Sequence, residues 1–398
     1  MIFWNDPINF LFAWLLDIFT GWGMAEGLAT VLIWLIGILL LVTFAMVLDI
    51  FLVWIERKVV ARFQDRLGPN RIGPFGIFQP FADIVKLLIK EDITPIGADV
   101  LLFNLAPIFS IMSVLLLWAI LPFAPDMFGV DLNVGMLYLV AAGSIGTLSV
   151  IMAGWSSNNK YALMGAFRTV AQMISYEIPM VVALLIPTML AGTMGTIGIV
   201  EAQESVAFIW LSPLAFLIFL ISAIAELGRS PFDLNEAESE IVAGFHTEYT
   251  GMKFGLFYAG ELLHSFTFGG FIALLFFGGH RFFGLENLGP IIGAIIFLTK
   301  ALFFYWVIMW VKYTVPRIRV DHMLAFNWKF LTPLAFVLLM VTALVGRLLL
   351  DSAWLAPGLF ISNLVLVWLT IEFLKSHARK TRAQEEASLK SAAPAAQH

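Results

Sequence analysis

An all-α, polytopic transmembrane helix bundle of about nine spans is the fold class this sequence predicts, and three observations predict it. The 398-residue chain is 60% hydrophobic and only 13% charged, whereas ordinary soluble domains are about 25% charged. Its mean hydropathy is +0.91. Its apolar runs reach the ~20 residues that a helix needs to cross a ~30 Å hydrocarbon core, so they read as helices rather than barrel strands. Zero cysteines exclude disulfides, iron–sulfur ligation and thiolate metal sites within this chain. A redox centre held through Cys must therefore sit on a partner. The formal charge of −5 says little for a molecule that mostly faces lipid. No internal repeat is visible, which disfavours inverted-repeat transporter plans.

Residues 1–27 read as an outer-side interfacial segment. The run 8–20 (INFLFAWLLDIFT) is too short to span, and Trp4, Trp14 and Trp22 suit the headgroup belt. No signal peptide is expected, because no positive n-region exists; the first basic residue is Arg57. Residues 28–376 form the multi-span membrane domain, with spans at 28–55, 101–122, 134–155, 164–191, 207–227, 252–283, 290–314, 329–349 and 355–375. Residues 377–398 are polar and rich in small residues, and read as a disordered cytoplasmic tail.

Lys and Arg orient the spans. One set of connections holds most of them, from Arg57, Lys58, Arg62, Arg66 and Arg71 through Arg168 and Arg229 to Arg317, Arg319 and Lys329. The opposite set holds only Arg281 and Arg347. The N-terminus is thus placed outside and the C-terminus in the cytoplasm, in a cell inner (plasma) membrane.

The first inner connection, WIERKVVARFQDRLGPNRIGPFGIFQPFADIVKLLIKEDITP, begins as a helical extension of the first span. GPNRIGPFG must be irregular backbone. QPFADIVKLLIKED then reads as an amphipathic helix, with Phe81, Ile84, Val85 and Leu88 on one face and Asp83, Lys86 and Lys90 on the other. Such a helix lies in the membrane interface. It is either a plain anchor or a mouth for a lipid-soluble molecule, and the pattern alone favours the anchor.

Ionisable residues inside spans cost at least ~2.5 kcal/mol each at a helix centre. Asp49 and Glu56, seven residues apart, share one helix face; Glu177, Glu226, Glu261 and Lys300 lie in later spans. Ion pairs between helices account for some of them, but acids outnumber bases. Buried acids of this kind are candidates to take up and release protons. The stretch PFDLNEAESEIVAGFHTEY, residues 231–249, adds Asp233, Glu236, Glu238, Glu240 and Glu248 with no Lys or Arg. Interspersed Pro231, Phe232, Leu234, Ile241, Val242 and Phe245 favour a partly buried carboxylate cluster over a solvated acidic loop. The expectation is a relay with its inner end here, continued into the membrane by Glu226, Glu177, Glu261 and Lys300. There is no Walker motif, HExxH or nucleophile elbow, so no independent catalytic site, no metal site and no nucleic-acid partner are expected.

Five blocks, ERKVVARFQDRLGPNRIGPFG, QPFADIVKLLIKED, SSNNKYALMGAFRTVAQMISYEIP, AELGRSPFDLNEAESEIVAGFHTEYTGMKFG and TVPRIRVDHMLAFNWKFLTP, together resemble the family of H subunits of bacterial NADH–quinone oxidoreductases, the membrane subunit of respiratory complex I at its quinone site. The resemblance runs in order from about residue 40 to residue 345. It implies a subunit of a proton-translocating NADH:quinone oxidoreductase that joins the peripheral and membrane arms. Quinone is implied as substrate, in a tunnel marked by Glu56, Arg57, Asp83, Arg229 and Phe232. A proton relay is implied at Glu177, Glu226, Asp233, Glu236, Glu238, Glu240, Glu248 and Glu261. FMN and iron–sulfur clusters are implied on partner subunits. The implied partners are quinone-site peripheral subunits on the cytoplasmic side, small and antiporter-like membrane subunits, and membrane lipid. The sequence departs from the family pattern at Asn235, Lys312 and His322. The resemblance gives Asp49 no counterpart and His264 no relay role. Other readings are the corresponding subunit of a related complex, a stand-alone transporter and a structural anchor.

Overall fold

The structure, a computed structural model, describes residues 6–125, 127–233, 238–349, 352 and 354–392. Among these it is helical throughout, with one isolated bridge between Ala124 and Met127 and no strand. Helix α1 (Pro7–Gly21) is capped by Asp6, whose carboxylate accepts the Asn9 N–H at 3.1 Å, with Pro7 opening the first turn. Helix α2 (Glu26–Phe63) has 38 residues, ~57 Å at 1.5 Å per residue. It therefore outruns the hydrocarbon core and carries Glu56 and Arg57 beyond the apolar stretch. The Gly/Pro-dense connection leads to α3 (Gln79–Ile89), which packs on α2.

The bundle proper comprises α4 (Val100–Trp118), α5 (Gly135–Ser156), α6 (Lys160–Ala191), α7 (Thr196–Glu201), α8 (Phe208–Leu211), α9 (Pro213–Glu226), α10 (Glu238–Ile241), α11 (Gly251–Phe277), α12 (Pro290–Thr314), α13 (Val320–Phe326), α14 (Thr332–Leu348) and α15 (Leu355–Ala392). Helix α11 lies at the centre: its apolar stretch is 83% buried, against 11% for those of α2 and α15. Its own Phe266, Phe271 and Phe276 are fully buried, and so are Trp118, Tyr176, Phe219, Phe297 and Tyr305 on other helices.

Among the described residues, eight helices are long and apolar enough to cross a membrane, where the sequence suggested nine spans. The difference is the expected span 207–227. It is two helices, α8 and α9, broken at Ser212–Pro213. Pro213 has no N–H to donate and pushes its predecessor out of the helical region; Ser212 sits at φ −142°, ψ 65°. The expected span 329–349 also starts earlier, because α13 runs into α14 through one π-helical turn, Asn327–Leu331.

The tail differs as well. The sequence suggested disorder from residue 377, but α15 continues to Ala392. ARKTRAQEEASLK is rich in good helix formers, and extending an existing helix escapes the nucleation cost of starting one.

Candidate functional site: a buried ionic chain and a polar cavity

Arg229 organises the site. Helix α9 ends in a Schellman motif: Gly228 takes φ +61°, its N–H donates to Ala225 O, and the Arg229 N–H turns back to Ile224 O. That turn aims the Arg229 side chain into the bundle, where it is 3% exposed. Its Nη1 lies 3.4 Å from Glu56 Oε1 and its Nε 3.0 Å from Glu261 Oε1. Glu56 also accepts from Lys312 Nζ at 2.9 Å, Tyr313 OH at 2.6 Å and Tyr258 OH at 3.4 Å. Two carboxylates thus face two cations, which offsets the desolvation of a buried ionic group. Burial disfavours the Arg229 charge, but Glu261 and Glu56 outweigh it and hold the guanidinium charged, its pKa above the usual value.

Glu261 belongs to a second feature too. With Glu226, His246, His264, Ser113 and Thr169 it lines a cavity of about 80 Å³. Glu226 ends α9, is buried, and makes no ion pair among the described residues. Gln172, fully buried on α6, donates to Ala225 O at 2.6 Å and ties the two helices together beside it. Glu177 is close enough for its charge to act on Glu226, and accepts from Ser144 Oγ on α5 at 3.2 Å. The sequence Glu56, Arg229, Glu261, cavity, Glu226, Glu177 therefore crosses the bundle from α2 and α12 to α5 and α6. Such a string can pass a change of charge from one end to the other.

The backbone beside Glu177 is shaped for this place. Pro179 has no N–H, so the Ser175 carbonyl, four residues earlier, loses its helical partner. Asn327, buried in the π-helical turn, supplies it: Asn327 Nδ2 donates to Ser175 O at 2.5 Å. Tyr176 OH donates to Met323 O at 3.2 Å, and its ring packs 5.1 Å from Phe232.

The remaining expected residues lie apart. Arg57, next to Glu56 in sequence, turns the other way and pairs with Asp83 on α3; both are partly exposed. Among the carboxylates of 231–249, Asp233 is half-buried. Glu240 is exposed and pairs with Arg168, whose hydrogen bond holds the carboxyl below its usual range. Glu248 accepts from Asn159 Nδ2 at 2.6 Å in a separate, open recess. Glu236 lies outside the described residues, and Glu238 is described only as the first residue of α10. Glu240 and Glu248 are thus separate groups rather than one buried cluster: their partners, Arg168 and the N-cap Asn159, stand nine residues apart along α6. The loop can approach α6 this closely because Gly165 has no side chain: a Cβ there would stand only 2.6 Å from Gly244 Cα. Tyr249 stacks on Phe103 at 4.2 Å and anchors the loop's far end.

Residues 36–343 match the NADH dehydrogenase family. The chain belongs to that family. It is similar to the H subunit of the NADH-quinone oxidoreductase of Dehalococcoides mccartyi, 48% identical over 310 residues, which cover 78% of this chain and 86% of the relative. Similar too are the first of the numbered H subunits of Geobacter metallireducens, 48% identical over 302 residues (73% and 90%), and the H subunit of Syntrophotalea carbinolica, 43% identical over 330 residues (80% and 98%).

One expected relay group of this NADH dehydrogenase family member is placed elsewhere. Lys300 donates to the carbonyls of Phe277 (2.7 Å), Gly279 (2.9 Å) and Arg281. It caps the end of α11, sixteen residues or ~24 Å along the helix from Glu261, and so plays a structural part at the far end. Conversely, the sequence reading missed Tyr258, Tyr313 and the contact of Lys312 with Glu56. The available signal was the polar group Tyr305, Lys312 and Tyr313 in the inner half of a largely apolar span.

Proposed function

We propose that this chain is the H subunit of a proton-translocating NADH:quinone oxidoreductase, respiratory complex I, in a cell inner membrane. It forms the quinone access path and the start of the carboxylate relay, and it joins the peripheral and membrane arms. The observation that carries this reading is the buried chain Glu56–Arg229–Glu261 ending in a cavity with Glu226. It is an ionic path inside an apolar bundle, beside the interfacial helix α3. Glu56, Arg57, Asp83, Arg229 and Phe232 serve the quinone path. Glu177, Glu226 and Glu261 form the relay, with Asp233, Glu236, Glu238, Glu240 and Glu248 at its inner, loop end. Quinone is a substrate here; FMN and the iron–sulfur clusters belong to peripheral subunits, and this chain has no Cys to ligate a cluster. Small and antiporter-like membrane subunits and lipid are its further partners. Counting α8–α9 as one crossing gives an odd number, which puts the termini on opposite sides, and the Lys/Arg asymmetry puts the C-terminus in the cytoplasm.

Quinone arrives from the bilayer past α3 and is reduced near the inner face by electrons from partner subunits. The new charge acts on the nearest member of the ionic chain. At ~4 Å and an effective dielectric of 20, unit charges interact by about 4 kcal/mol, enough to move a protonation equilibrium about a thousandfold. Arg229 then transmits the change to Glu261, and Glu226 and Glu177 redistribute the proton. The test is Glu177→Gln and Glu226→Gln in the whole complex, in sealed vesicles. Both are expected to assemble and to lose proton translocation per NADH oxidised. Full translocation in both would refute the relay.

A further inference from the structure

Three buried polar atoms, Glu226 Oε2, His246 Nδ1 and His264 Nε2, have no hydrogen-bond partner in the described protein, and all three residues line the same cavity. An unpaired buried polar group costs ~1–3 kcal/mol. The other polar walls are Glu261 and the hydroxyls of Ser110, Ser113 and Thr169. Ser113 Oγ donates to Ser110 O at 2.7 Å and Thr169 Oγ1 to Gly165 O at 2.9 Å, so the hydrogen of each is used and its lone pairs can accept. A space of about 80 Å³ with such partners holds roughly five to eight waters, at about 10–15 Å³ of accessible space each.

His264 follows Glu261 by three residues, on the same face of α11. Its ring rests on Phe268, centroids 4.8 Å apart, which fixes the ring plane. A histidine serving only as packing would turn both nitrogens toward neighbouring backbone or helix surface. Here Nε2 is buried without a partner in the described protein, and the residue borders a space shared with two carboxylates. Helices α4, α5 and α6 bring no charged group to the cavity wall, only hydroxyls, Gly146 and apolar side chains. The groups facing His264 there are therefore Glu226, Glu261 with its partner Arg229, and His246. His246, on the loop, has the rings of Phe245, Phe254 and Phe257 around it at 3.9, 5.6 and 5.3 Å.

We infer that His264 is a proton-accepting group of this site, reached from Glu226 through water in the cavity. The Glu226 carboxylic acid gives its proton to a cavity water, and the water passes one of its own to the Nε2 lone pair. The products are a carboxylate and an imidazolium; only O–H and N–H bonds change and no electron moves. The imidazolium forms beside Glu261, whose carboxylate already holds Arg229, so the proton's arrival weakens that pair. This inference rests on the relay proposed above, and the family resemblance assigns nothing to this position.

The experiment uses the whole complex in sealed vesicles and reads protons moved per NADH oxidised. His264→Gln can still bind water but cannot take a proton at its amide; His264→Leu can do neither. Both are expected to lower the ratio several-fold. A His264→Gln complex with the wild-type ratio overturns the inference. If Glu226→Gln loses translocation while His264→Gln keeps it, only the role of His264 falls; if both keep it, the relay falls as well. Reduced-minus-oxidised infrared spectra of complex carrying labelled histidine read the proton directly, without a His264 variant. An imidazolium band is expected in the wild type and absent in Glu226→Gln. A spectrum without that band, or with it unchanged in Glu226→Gln, overturns the inference.

Discussion

Arg229 Nε meets Glu261 Oε1 at 3.0 Å inside the bundle, across 32 residues of chain (261 − 229), with only 4% of the arginine side chain and 24% of the glutamate exposed. The pair is one half of a clamp whose other half is Glu56. Removing the cation leaves two acids close together with only Lys312 to balance them. Arg229→Met is therefore expected to cost about 3–5 kcal/mol, the scale of breaking a buried ion pair from one side. The measurement is thermal inactivation and assembly of the complex, checked against Arg229→Lys. The lysine keeps the charge but not the planar fork that serves two carboxylates at once, and is expected to fall between the two.

Asn327→Leu removes the donor that satisfies the Ser175 carbonyl. The freed carbonyl is buried beside Pro179, so about 1–3 kcal/mol of stability is expected to go. Because Ser175 is two residues from Glu177, the same variant is expected to lower protons moved per NADH oxidised. Asn327→Asp, which offers no amide donor, is expected to reproduce both effects.

Asp83→Asn weakens the link between α3 and Arg57. Both side chains are partly exposed, so the stability change is expected to stay within about 1 kcal/mol. If α3 borders the quinone path, the apparent KM for quinone rises while kcat is retained. A fall in kcat with unchanged KM would place Asp83 elsewhere in the mechanism.

His246 gives the loop a pH dependence. Its imidazole is held neutral by burial, down to about 4 against an ordinary 6.5. Between these values the unfolded loop binds a proton that the folded loop does not, so stability is present above pH 6.5 and falls as pH drops toward 4. The protection factors of the 244–250 amides, exchange measured against the intrinsic rate at each pH, are expected to fall over that window, and His246→Phe is expected to remove the dependence.

Some of this was legible beforehand and some was not. The amphipathic face of α3 and the helical extension of α2 follow from spacing along one element, and α3 and α2 show them. The break at Ser212–Pro213 had its signal in the proline, but the surrounding run was apolar enough to read as one span. The polar composition of the tail suggested disorder, although its Ala, Glu, Lys and Arg content equally suits a helix. The acidic run at 231–249 read as one cluster because its members are neighbours in sequence. In space Glu240 and Glu248 turn to separate partners, Arg168 and Asn159, nine residues apart on α6 and its N-cap.

Composition and hydropathy alone established a lipid-embedded helical protein, its long apolar helices and its uneven basic charge, because these depend on each residue's own transfer free energy. Which acid meets which base was settled only when the helices packed. Glu56 finds Lys312 across 256 residues, and Glu56 and Arg57, adjacent in the chain, face opposite environments. Periodicity reports neighbours on one helix; a buried charge is decided by neighbours on the others.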